Sequence, residues 1–206
     1  MIPVIGFHRS GTSMVAHMLK EMGCFMGERF REPDETQPHG YWEDLDWRDI
    51  NSALLQRAHG SWYCPPHPLL LDAHFGEFIP QIEALIDSRE SMGAPWGFKD
   101  PRTCLTWHYL VEKLPNPRAI IVTRNRAAVM DSLERRAASR GYHEPREHWE
   151  ALYNIYEESI WGIHLNAPIL EVYFWEILEN PLKVAKDIAR FAGLSNPEAG
   201  AAVVKR

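Results

Sequence analysis

The stretch Val4–Leu19, VIGFHRSGTSMVAHML, limits what this chain can become more than any other. A short apolar run enters a loop punctuated by Gly6 and Gly11 and leaves it as an amphipathic segment. That order reads as strand, tight glycine turn, helix. A helix entered in this way turns its unpaired N–H groups, and the positive end of its dipole, toward the mouth of the loop, which makes an anion site. The spacing is that of the phosphate-cradling loop G-x-x-x-x-G-K-[ST], but Thr12 stands where that pattern has lysine, and Arg9 lies inside the loop. Ser10, Thr12 and Ser13 add hydroxyl donors, and Arg9 adds a full charge on a two-pronged fork. In the ordinary loop the lysine reaches the β- and γ-phosphates while the hydroxyl residue holds Mg²⁺. A loop without that lysine suits a terminal group of lower charge, such as a sulfonate.

The rest of the chain continues the alternation. Strands are expected at 2–6, weakly at 95–99 (PWGFK), at 119–123 (AIIVT) and at 168–173 (PILEVY). The continuous β-branched run AIIVT fits a strand buried on both faces. Helices are expected at 12–22, around Ile50–Ala58, over Phe78–Ile86, around Leu105–Tyr109, at 126–139 and at 145–165. CPPHP at 64–68 breaks the chain, and Asn180 with Pro181 opens a terminal helix as N-cap and first-turn proline. Residues 24–44 form a long polar loop, of the kind that often carries function. Strands alternating with helices predict an α/β, P-loop-like three-layer fold with a central parallel sheet flanked by helices. A length of 206 residues and a hydrophobic fraction of 45% fit a single domain over 1–206.

Composition narrows the function. A net charge of −6 argues against a general nucleic-acid binder, and no apolar run is long enough to span a membrane. The N-terminus runs straight into IPVIGF, without the charged leader of a signal peptide. Cys24, Cys64 and Cys104 are too few and too scattered for a disulfide framework or a zinc site. A cytoplasmic setting follows as the expectation. The histidines show no metal-ligand spacing, so no metal is expected. Eight tryptophans serve either packing or an aromatic-lined pocket.

Three further residues stand where they can join the loop. Ligands of open α/β sheets bind at the carboxyl ends of strands. FKDPRTCL puts Lys99 at one such end, and IIVTRNRAAVMDSL puts Arg124 at the next, with Ser132 on the following helix. FHRSGTS, FKDPR, IIVTRNRAAVMDSL and LEVYFWEILENPLKVAKDIARFAGL together resemble the sulfotransferases that use 3′-phosphoadenosine 5′-phosphosulfate (PAPS), and most closely the compact bacterial-type members. The resemblance runs from residue 4 to about 195. It implies that Arg9, Ser10, Gly11, Thr12 and Ser13 hold the donor's 5′-phosphosulfate, and that Arg124 and Ser132 hold its 3′-phosphate. It places Lys99 beside the transferring sulfonate and gives YFWEILENP a structural role. The C-terminal R-K-G motif of many cytosolic members is absent, with Lys205 or Arg206 as candidate substitutes.

Sulfonate transfer also needs a base. DETQPHGYWEDLDW offers Glu43, whose context resembles a glutamate base of some sulfotransferases, and His39 as its rival. Packing against Trp42 would have to raise the Glu43 pKa for it to serve well. The alternative role for Glu43 is an acid leading the helix that begins near Asp46. The expected activity is sulfonate transfer to a hydroxyl or amine of a small-molecule or carbohydrate acceptor, whose pocket would come from 24–75 and 136–165. A P-loop kinase-like phosphotransferase is the alternative. Against it stand Thr12 and a strand ending in Thr123-Arg124 rather than in an aspartate for Mg²⁺. A non-catalytic nucleotide-binding module is the third reading.

Overall fold

The computed structural model describes residues 1–38, 40–163 and 167–204. Its sheet has four strands: β1 (Ile2–Ile5), β2 (Gly97–Lys99), β3 (Ala119–Thr123) and β4 (Ile169–Tyr173). All pair in parallel, in the order β2-β1-β3-β4. The side-chain period of two divides each strand between two cores. Ile2, Val4, Ile120 and Val122 enter one, while Ile5, Phe98 and Ile121 enter the other. A strand buried on both faces has to be apolar throughout, which is why IPVI and AIIV read as unbroken runs.

Helices cover both faces. On one lie α1 (Thr12–Glu21), α8 (Phe174–Glu179) and α9 (Pro181–Ala192), which contribute Val15, Leu19, Ile177 and Ile188 to the core; α10 (Pro197–Ala202) packs on α1 and α9. On the other lie α2 (Leu45–Arg57), α3 (Pro68–Phe75), α4 (Ile79–Glu90), α5 (Thr103–Leu110), α6 (Arg126–Ala138) and α7 (Arg146–Ile163). Their core is rich in large rings, among them Trp47, Trp107, Trp149 and Tyr156. The expected α/β, P-loop-like arrangement is thus the one observed. Among the described residues no helix is long and apolar enough to cross a membrane.

Three helices lie outside the expectations. The break at CPPHP ends with His67, whose Nδ1 accepts the Leu69 N–H at 3.2 Å and caps α3, with Pro68 in its first turn. The short α8 fills what reads as a strand-to-helix junction, and α10 follows α9. Asn180 does precede α9, but its side chain makes no capping hydrogen bond.

Candidate active site

All four strands end at one place. β1 runs into the glycine loop, β2 ends on Lys99, β3 is followed by Arg124 and β4 by Phe174. The strand order reverses between β1 and β3, the position at which open α/β sheets bind ligands. Two residues set the path of the loop. Arg9 has φ 70°, and Gly11, the N-cap of α1, has φ 99°. A Cβ at Gly11 would overlap the Phe174 ring, so glycine is required by both conformation and space. Gly11 offers no side chain to cap α1, which leaves the first N–H groups of the helix facing the site.

The charged groups are tied to one another. Arg124 Nη1 donates to the Arg9 carbonyl at 3.0 Å, and its guanidinium lies 4.6 Å from the centre of the Phe174 ring. Arg9 Nε donates to Ser132 Oγ at 2.9 Å, and Nη1 donates to Gln37 Oε1 at 2.8 Å. Lys99 Nζ donates to Glu43 Oε1 at 3.0 Å and to the Tyr41 carbonyl at 3.1 Å, with both charged side chains almost wholly buried. Arg9, Gly11, Thr12, Ser13, Glu43, Lys99 and Arg124 all line one cleft of about 180 Å³. Ser10 instead lines a neighbouring cavity that shares Arg124, and the Ser13 hydroxyl is spent on the Tyr41 carbonyl at 2.8 Å. His39, Lys205 and Arg206 lie outside the described residues.

Glu43 does not start a helix. Asp44 caps α2 by accepting the Asp46 N–H at 3.0 Å, which leaves the Glu43 carboxylate for Lys99. Its pKa moves opposite to the expected direction. Burial pushes it up, but the charges of Lys99, Arg102 and Arg31 outweigh burial and hold it below the usual carboxylate range. The Trp42 indole stacks on His17, 4.3 Å between centroids. The same burial lowers the Lys99 pKa, with Glu43 opposing the fall. The KDPR segment is braced below: Asp100 accepts from Asn51 Nδ2 at 2.9 Å and from Arg102 Nη1 at 2.6 Å, and Thr106 donates to Asn51 Oδ1 at 2.7 Å.

The lining also includes residues that the sequence reading did not assign to the site, among them His8, Gln37, Tyr41, Arg136 and Phe174. His8 is buried, and among the described residues its Nε2 has no hydrogen-bond partner. Burial first, then Arg102, Arg136, Lys99 and Arg9, keep its pKa well below the ordinary imidazole value. Phe174 follows directly on β4, so the strand-end rule applied to PILEVY would have found it. Gln37 and Tyr41 belong to a strap over the cleft. In it Asp34 accepts from the Tyr41 hydroxyl at 2.6 Å and from Arg140 Nη2 at 2.7 Å. Among the described residues no group of three or more His, Cys, Asp or Glu is arranged to hold a metal ion.

A parallel sheet with a glycine loop, a cationic cleft at its strand ends and a helix N-terminus facing that cleft defines a P-loop-like fold with a candidate anion site. The chain matches the profile described as "Sulfotransferase family" over residues 2–198, and it belongs to that family. Among solved structures, the sulfotransferase domain of the Synechococcus PCC 7002 olefin synthase is similar at a TM-score of 0.64 and 16% identity, covering 100% of this chain and 77% of that one. Sulfotransferase STF1 of Mycobacterium tuberculosis H37Rv is similar at 0.59 and 14%, covering 98% and 70%. A sugar kinase of Janibacter sp. HTCC2649 is similar at 0.56 and 11%, covering 100% and 98%. At these identities the likenesses speak for the fold alone. No curated protein matches the chain.

Proposed function

We propose that the protein transfers the sulfonate of PAPS to a hydroxyl or amine of a small-molecule acceptor, without a metal. The observation that carries this reading is the convergence of Arg9, Lys99 and Arg124, from three strand ends, on one cleft beside the N-terminus of α1. No lysine stands in the loop itself and no aspartate ends β3, the two groups a Mg²⁺-nucleoside triphosphate would need.

In this reading Gly11, Thr12 and Ser13 present N–H groups to the 5′-phosphosulfate, and Arg124 and Ser132 take the 3′-phosphate. Arg9 leaves Ser132 to face the donor. The second cavity across Arg124, about 170 Å³ with Tyr153, Trp161 and Tyr173 in its walls, offers rings for the nucleoside. The acceptor oxygen or nitrogen forms a bond to sulfur while the bond from sulfur to the phosphate oxygen breaks. The bisphosphate departs with that electron pair, and the acceptor proton passes to a base. Lys99 meets the charge gathering on the sulfonate and the departing oxygen. As Lys99 turns to the donor, Glu43 is released to accept the proton. His8 is the second candidate, since it lines the same cleft and, among the described residues, its Nε2 is bonded to nothing else.

The deciding experiment compares thermal stabilisation by adenosine 3′,5′-bisphosphate with that by ATP and Mg²⁺. At a hundred times its Kd the bisphosphate adds about 2.7 kcal/mol. Stabilisation by ATP–Mg²⁺ alone would reject the reading in favour of phosphoryl transfer.

A further inference from the structure

A cavity of about 380 Å³ is distinct from the donor cleft. It lies against the cleft, and the two share Arg136. His8, in the wall of the cleft, packs on Trp62, in the wall of the cavity, with 4.5 Å between ring centroids. A molecule filling the cavity therefore lies next to the groups that would act on it.

The walls are specific in two ways. Trp62, Tyr63 and Trp149 meet edge to face, 5.6 Å between successive ring centroids, and give a slot for a flat apolar body. The charge on the walls is positive. Arg136 and Arg140 oppose the lone acid Glu144, which is engaged with the Tyr63 phenol. Arg140 is paired to Asp34 at 2.7 Å. Among the described residues Arg136 has no carboxylate within ion-pair distance, and its charged neighbours are the cations Arg9, Arg31 and Arg140. It rests only on the rings of Tyr41 and Trp62, at 5.7 and 6.0 Å. The unpaired charge of this wall is therefore the Arg136 guanidinium, which calls for an anion.

We propose that this cavity holds the acceptor and selects an aromatic hydroxyl compound that carries an anionic group, a carboxylate or its equivalent, held by Arg136. The proposal rests on the sulfotransfer reading above. The hydroxyl oxygen forms the new bond to sulfur, its proton goes to the base in the cleft, and adenosine 3′,5′-bisphosphate leaves.

The test is calorimetric titration of the protein, saturated with adenosine 3′,5′-bisphosphate, with 6-hydroxy-2-naphthoate and with 2-naphthol. The naphthoate should bind at least about tenfold more tightly, as a charge-assisted bond to guanidinium predicts. Arg136→Ala should bring the ratio of the two affinities close to one, and Arg136→Lys should restore part of it. With PAPS, the sulfated naphthoate should appear by mass spectrometry. Equal or tighter binding of 2-naphthol, binding of neither compound, or displacement of the bisphosphate by the naphthoate would each overturn the proposal. Failure of the bisphosphate itself to bind would instead strike the donor reading.

Discussion

Lys99 and Glu43 are buried together, so each is costly to remove alone. Lys99→Ala leaves a carboxylate without its cation and should destabilise the fold by about 3–5 kcal/mol, while Lys99→Met with Glu43→Gln should cost clearly less in denaturant titrations. Turnover separates chemistry from folding. Lys99→Ala should lower kcat by on the order of 10²–10³ and the donor KM far less. An effect confined to KM would make Lys99 a binding residue only. Glu43→Gln should retain bisphosphate affinity and lose turnover; if turnover survives, and His8→Gln abolishes it, the base is His8. Gly11→Ala, with its Cβ against Phe174 at positive φ, should abolish donor binding while Gly23→Ala, where nothing lies within 4 Å, does not. Sequence alone could bring Lys99 and Glu43 under consideration, because both types suit the chemistry. It could not give the direction of the Glu43 pKa, which depends on charges that two other segments, KDPR and the stretch around Arg31, bring to it.

At the level of elements, the strap over the cleft packs on the core through Trp42 and is clasped by charge at Asp34. Hydrogen bonds from Thr36 and Tyr41, with the Arg140 charge, overcome burial and hold the Asp34 pKa well below the usual carboxylate value. The sign follows directly. A depressed acid contributes stability above its unfolded pKa, about 3.9, and loses it as pH falls further. Asp34→Asn should therefore loosen the strap at neutral pH, seen as faster proteolysis within 31–44 and a raised donor KM, with little change in global unfolding. The strands were legible because doubly buried strands need unbroken apolar runs. Helix α3 was obscured by prolines that read as breakers although one of them starts the helix, and α8 by having only six residues. The strap was legible as a long loop but not as a clasp, since Arg140 reaches Asp34 from far along the chain.

For the molecule as a whole, the buried acid Asp44 works against folding as pH rises. Burial raises the Asp44 pKa to about 6, because Arg89 approaches it only at 3.4 Å and meets Asp46 at 2.7 Å instead. A folded-state pKa above the unfolded value means stability present below about pH 4 and lost as pH rises through 6. Unfolding free energy should fall by up to about 1.4 kcal/mol per pH unit across that window. Asp44→Asn, an equally good cap, should flatten the slope. The fold class was readable because alternation survives in any α/β chain of this kind. The cavity beside the cleft was legible only as segments: its walls, Leu133 apart, fall within 24–75 and 136–165, the stretches expected to supply an acceptor pocket, but which side chains meet there is decided by the finished packing.

The sheet order also governs how the molecule is made. Both neighbours of β1 are distant in the chain, pairing through Gly97–Lys99 and through Ile120 and Ile121. Synthesis therefore releases IPVIGF long before either partner exists, and the nascent apolar segment must wait, shielded by the ribosome's surroundings or by a chaperone. Closure over such separations is slow. The anion loop, central to the finished protein, is synthesised before both strands that flank it and gains its shape only once they have arrived.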